Sequence, residues 1–221
     1  MATRAGAGET GTEAGPDDEV GHAPVAPAVL DPASLPAGQR ARRARIVRAA
    51  IELLEVGEYD RIQIRDVAER ADVALATLYR YFSSKEHLYA AALVEWSADF
   101  RPRTRPGDAG ETDEERLRAL CRRAVRAFER WPQMLRAEIV IESSHDDNAR
   151  ALFARFGEQN RAAMAAAFRA QSTEHAAAVI DTVQSVLGSR LRSWALGRCT
   201  IADVDRAVQQ TITLIYSPPP T

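Results

Sequence analysis

Apolar residues fall three and four positions apart through most of the chain, and the strict alternation of a half-buried strand is not evident. From Arg40 to Val56, the residues Ile46, Val47, Ala50, Ile51, Leu53 and Leu54 share one helical face, and Gly57 is a natural stop. The spacing then predicts two short helices, 64–71 with Val67, Ala68 and Ala71 inward, and 74–82 with Leu78 and Phe82 inward. Only Asp72 and Val73 clearly separate them, so the two must cross steeply and the second projects from the body of the protein. A fourth helix is predicted over 84–100, with the serine pair Ser83 and Ser84 as candidate caps. Pro102, Pro106, Gly107 and Gly110 then predict a loop over 101–113. Helices follow at 114–130, 133–142, 146–170, 174–196 and 201–216, before a proline-rich end at 217–221. The expectation is an all-α chain in two helical parts, 39–100 and 114–216.

Charge changes the picture of the first forty residues. Residues 1–38 are rich in Ala, Gly and Pro and lack apolar periodicity. Their acids Glu9, Glu13, Asp17, Asp18, Glu19 and Asp31 face Arg4 as the one cation, so a disordered acidic tail is predicted. Arg40, Arg42, Arg43, Arg45 and Arg48 then follow without an acid until Glu52. The formal net charge of −2 argues against a nucleic-acid partner when taken as a sum, because a phosphate backbone calls for a basic surface. Its segregation along the chain reverses that inference. No apolar run approaches the roughly 20 residues that cross a bilayer. The first residues lack the pattern of a secretory signal, and Cys121 and Cys199 have no metal-type spacing, so no membrane partner, metal or cofactor is expected and the compartment reads as cytoplasmic.

The run DVALATLYRYFSSKEHL, with the helix 45–56, Gly57, Tyr59 and Ile64-Arg65-Asp66-Val67-Ala68 upstream, resembles the signature of TetR-type repressors over about sixty contiguous residues. The resemblance implies an N-terminal three-helix helix-turn-helix DNA-binding domain and a C-terminal helical domain for ligand binding and dimerisation. It implies that Thr77, Tyr81 and Lys85 contact phosphates and that Arg65, Leu75, Ala76 and Tyr79 lie at or near base edges, with Ala74 opening the recognition helix. The chemistry agrees. A helix in the major groove needs small or flat side chains at its N-terminal end, flanked by hydroxyls and cations. An arginine such as Arg65 can bond guanine bidentately. Arg40, Arg42 and Arg43 read as a basic arm ahead of the first helix. Asp72 and Ala74 depart from the glycine and the capping serine usual in the family.

In the second half, Cys121, Phe128, Trp131, Met134, Leu135, Ile139, Phe153, Phe156, Met164, Phe168 and Trp194 are more aromatic and sulfur-rich than a minimal core requires, and they are candidates to line an apolar ligand cavity or, equally, to pack a core. Val179, Ile180, Val183, Val186 and Leu187, with Val204, Val208, Ile212 and Ile215, form stripes suited to half of a four-helix bundle. A homodimer through the last two helices would set two recognition helices about 34 Å apart on a double-stranded, inverted-repeat operator. The run RADVALATLYRYFSSKEHL also resembles the actinobacterial branch of these repressors that controls steroid and lipid catabolism, and the resemblance implies a ligand-responsive repressor, with no catalytic residues, released by a small apolar ligand such as an acyl-CoA or a steroid or lipid metabolite. Two other readings remain at this level: a helical enzyme with a carboxylate and histidine site at Glu142, His145, Asp146 and Asp147, and a protein-binding bundle.

Overall fold

A computed structural model describes residues 30, 32–98, 112–169 and 173–217. Among them the chain is all-α: α1 (Ala37–Val56), α2 (Ile64–Arg70), α3 (Leu75–Tyr79), α4 (Lys85–Ala98), α5 (Asp113–Arg130), α6 (Pro132–Glu142), α7 (Asp147–Ala165), α8 (Thr173–Ala195) and α9 (Ile201–Tyr216).

The helix ends follow from local chemistry. Thr112 accepts from the Glu115 amide at 3.2 Å while Glu115 accepts from the Thr112 amide at 2.7 Å, satisfying two donors that a bare helix start would leave open. Thr200 and Asp203 repeat the arrangement at the start of α9. Pro132 occupies the first position of α6, where a missing amide costs nothing. Gly197 ends α8 at φ +69°, a backbone region open to glycine. Asp72, between α2 and α3, takes φ +51° without being glycine. A short polar side chain tolerates this better than a bulky one.

α1, α2 and α3 pack around Ile46, Val47, Ala50, Val67, Leu78 and Phe82, all essentially free of solvent. α4 lies under this unit and continues into the second, packing against α1 on one side and against α6 and α7 on the other. α5 packs on α9, and α8 pairs with α9 along its length. Val179, Ile180, Val183 and Leu187 of α8, and Val204, Val208 and Ile212 of α9, are all buried within the one chain. Most of each stripe therefore serves the chain's own core, with Val186 and Ile215 half-buried beside it. The large apolar side chains left exposed in this region are Leu196 and Leu214, the latter 78% exposed.

The segment expected to be a tail through residue 38 is ordered near its end. The Leu30 amide donates to the Arg80 carbonyl at 3.0 Å, Leu35 is buried, and α1 begins at Ala37. The apolar leucines, absent from the acidic stretch before them, supply the burial that orders this piece. The rest of the expected tail (1–29 and 31), most of the expected loop (101–111) and the end 218–221 lie outside the described residues. Residues 112 and 113 of that loop instead cap and open α5.

Candidate nucleic-acid interface and apolar cavity

α3 is only five residues long, and its position is set by its neighbours. Leu78 and Phe82 anchor it from below, and Arg45 of α1 donates from Nε to the Ala71 carbonyl at 2.8 Å, tying the turn to the first helix. Its outward surface carries Ala74, Leu75, Ala76, Tyr79 and Arg80, all exposed, with Thr77 half-buried. Leu75 and Tyr79, four apart on one helical face, are 43% and 41% exposed. Two large apolar side chains held in water on a projecting helix mark a contact surface more readily than a folding element. Arg65, second residue of α2, has 72% of its side chain exposed, and its one ion pair, to Asp66 at 3.8 Å, is long. Such a pair does little to fix the guanidinium.

Three side chains expected on this surface turn inward. Tyr81 is 3% exposed. Lys85 donates from Nζ to the Tyr59 carbonyl and lies 4.2 Å from the centroid of the Tyr59 ring. Burial lowers its pKa, against the pull of Asp60, Glu86 and Asp66. Arg43 is half-buried with its guanidinium 5.0 Å from the centroid of Phe82, and burial lowers its pKa as well. Arg40, Arg42 and Arg43 are not an arm ahead of the first helix. They lie within α1, with Arg40 bonded to the Leu35 carbonyl and Arg42 exposed.

A polar junction joins this domain to the second. Ser83, just before α4, donates to Asp146 at 2.6 Å, sits 3.0 Å from Nδ1 of His87, and accepts from Asn148 at 3.1 Å. Asp146 also caps α7 through the amides of Asn148 and Ala149. Burial alone would raise the Asp146 carboxyl, but the hydroxyls of Ser83 and Ser84 and these amides outweigh it and bring it down to about 2. Burial holds His87 neutral, at about 4, with Asp146 opposing and Arg43 reinforcing the shift. Nearby, Glu142 pairs with Arg192 and Asp147 with Arg150, while His145 is exposed. The carboxylates of the 142–147 segment are thus committed to capping and ion pairs. A second link runs from the Tyr59 amide to the Gln133 side chain at 3.0 Å, beside the Arg136–Asp60 ion pair.

Between α4, α5, α6, α7 and α8 lies a cavity of about 300 Å³. Phe128, Phe153, Phe156 and Met164 line it, as their bulk and helical spacing lead one to expect. The other candidates do not. Cys121, Met134 and Leu135 are buried core, Ile139 and Phe168 pack partly buried against that core, and Trp131 and Trp194 line two separate surface clefts near the α1–α2 connection. Residue type alone does not separate a wall from a core, since both select bulky apolar side chains. Sequence reasoning missed Trp96 of α4, Glu138 of α6, and Gln184, Leu191 and Arg192 of α8. Glu138 left a trace in the sequence, as a lone acid among Ala137, Ile139, Val140 and Ile141.

Residues 46–92 match the sequence pattern described as bacterial regulatory proteins, tetR family, and residues 110–215 match that of the tetracyclin repressor-like C-terminal domain. The chain is similar to the HTH-type transcriptional repressor KstR of Rhodococcus jostii, at 34% identity over 180 residues, covering 80% of this chain and 84% of that protein. It is similar to the repressor of the same name from Mycobacterium tuberculosis, at 34% over 182 residues, covering 80% and 81%. Among solved structures it resembles a TetR transcriptional regulator from Rhodococcus sp. RHA1, with 30% identity, a TM-score of 0.66, and coverage of 80% of this chain and 96% of that one. No described helix is long and apolar enough to cross a membrane.

Proposed function

The chain belongs to the TetR family of DNA-binding transcriptional repressors, and on that premise we propose that it binds an inverted-repeat operator as a homodimer and is released when a small, largely apolar molecule enters the cavity between α4 and α8. One observation carries the reading: a single helix, α4, leaves the recognition element at Lys85 and reaches the cavity wall at Trp96. Whatever separates Trp96 from the aromatic side chains of α5 and α7 also moves the base of α3.

The face formed by Arg65, Leu75, Ala76 and Tyr79, flanked by Ala74 and Thr77, supports base contact, and the exposed Arg42 and Arg48 support contact with the phosphate backbone. The junction at Ser83 supplies a second route to the same end. Asp146 heads α7, whose Phe153, Phe156 and Met164 line the cavity, so displacement of α7 pulls on the residue that precedes α4. A ligand shifts the balance only by binding the released form more tightly, by about 5.5 kcal/mol for a full reversal from 1:99 to 99:1.

Selection of fragments from the source genome by the ligand-free protein at low salt tests the proposal. Recovered fragments are expected to share an inverted repeat, and Arg65→Ala should weaken binding to them by about 1 to 3 kcal/mol, a factor of roughly 5 to 150. Recovery of no fragment at low salt would overturn the reading and leave a helical bundle that binds something else.

A further inference from the structure

Resting on the reading of this cavity as the ligand site, we propose that its occupant is a largely apolar molecule carrying one uncharged hydroxyl or carbonyl group, and that the Glu138 carboxyl binds that oxygen. The walls select for apolar, ring-bearing surface. Trp96 and Phe128 lie 5.3 Å apart between ring centroids, and Phe153 and Phe156 stack at 6.1 Å with their planes 28° apart. At about 300 Å³ the space lies at the small end of ligand sites and accommodates two or three fused rings.

Glu138 selects for the polar group. Its Oε2 is sealed from solvent and has no hydrogen-bond partner among the described residues. A buried carboxyl this short of partners is costly, and a ligand that bonds it from the cavity side offsets part of that cost. Charge then decides which partner fits. Among the described residues Arg192 is the cation that lines the cavity, and its Nη1 donates to both oxygens of Glu142, at 2.9 and 3.2 Å. A ligand carboxylate or phosphate would enter beside Glu138 and Glu142, whose like charge opposes it, and would share Arg192 with Glu142. Burial, reinforced by Glu142, pushes the Glu138 carboxyl up to about 7, so at neutral pH a large fraction carries its proton. A protonated carboxyl both donates and accepts, which suits a carbonyl and a hydroxyl alike.

A matched set of naphthalene probes separates the possibilities: naphthalene, 2-naphthol, 2-acetylnaphthalene, 2-naphthoate and (2-naphthylmethyl)trimethylammonium, titrated calorimetrically into the full chain at pH 7. The naphthol and the ketone are expected to bind about tenfold or more tightly than naphthalene, and the carboxylate no better than naphthalene. Glu138→Leu should remove the advantage while leaving naphthalene affinity within about threefold, and Glu138→Gln should keep most of it, because an amide also donates and accepts. Tightest binding by the carboxylate or the ammonium, or an oxygen advantage that survives in Glu138→Leu, would overturn the assignment. Equal binding of naphthalene, naphthol and ketone would remove the role of Glu138 while leaving the cavity as the ligand site. Binding of none of the five would remove both.

Discussion

Glu138 also makes the pH dependence of folding a measurable consequence of the cavity. An ordinary glutamate releases its proton near 4.5, whereas burial and Glu142 hold this one to about 7. Between those values the folded chain keeps a proton that the unfolded chain has lost, so stability falls as pH rises through the window. The full displacement, at 1.36 kcal/mol per pH unit, corresponds to about 3 kcal/mol, and water at the exposed part of the side chain reduces this to between about 1 and 3 kcal/mol. His87 works in the opposite sense. Its pKa is lowered to about 4, so from there to about 6.5 the unfolded chain carries the extra proton and stability rises with pH. The two slopes oppose each other in the native protein, and the difference between Glu138→Gln and wild type isolates the first. Urea unfolding at one protein concentration, repeated at pH 4.5, 5.5, 6.5 and 7.5, should show the variant gaining on wild type with each step, by about 1 to 3 kcal/mol in all. A difference that stays flat or shrinks as pH rises would refute the reasoning, because it would mean that Glu138 ionises as freely in the folded chain as in the unfolded one.

Three further outcomes are expected. Lys85→Met should lower the melting temperature, yet leave unchanged the slope of operator affinity against salt, which would flatten by about one unit if the lysine neutralised a phosphate. Ser83→Ala should cost about 1 to 2 kcal/mol in urea unfolding, since it withdraws the donor to Asp146 and the partner of His87 and Asn148 together; a cost near zero would mean the junction is not formed in solution. Leu214→Arg should shift the sedimentation coefficient toward that of a monomer without lowering helix content, and an unchanged dimer would place the interface elsewhere on the molecule.

The first domain was the more legible in sequence because its logic is local. Leu78 and Phe82 are four apart and both face inward, and α1 ends at Gly57, where the sequence places its stop. Side-chain placement was less legible. Thr77 and Tyr81 are four apart as well, yet Thr77 is half-buried and Tyr81 is covered. Lys85 and Arg43 are cations whose partners, Tyr59 and Phe82, are brought near by tertiary packing. The cavity was the least legible part. Its walls come from five helices, and the apolar neighbours that set Glu138 apart do not say whether it faces water or a cavity. The stripes on α8 and α9 were correctly apolar, but apolarity does not say whether the surface that covers them belongs to the same chain or to another copy.

Because α4 serves as both a wall of the cavity and the base of the recognition element, the traffic between the two sites runs in both directions. A ligand that lowers operator affinity by some factor is itself held more weakly, by that same factor, on a protein already bound to its operator. Molecules free in solution therefore fill first as ligand accumulates, and those on DNA fill last. Every additional operator in a genome draws down that free pool and so lowers the ligand concentration at which release begins, and the response is shared between the geometry of one helix and the number of sites it must leave.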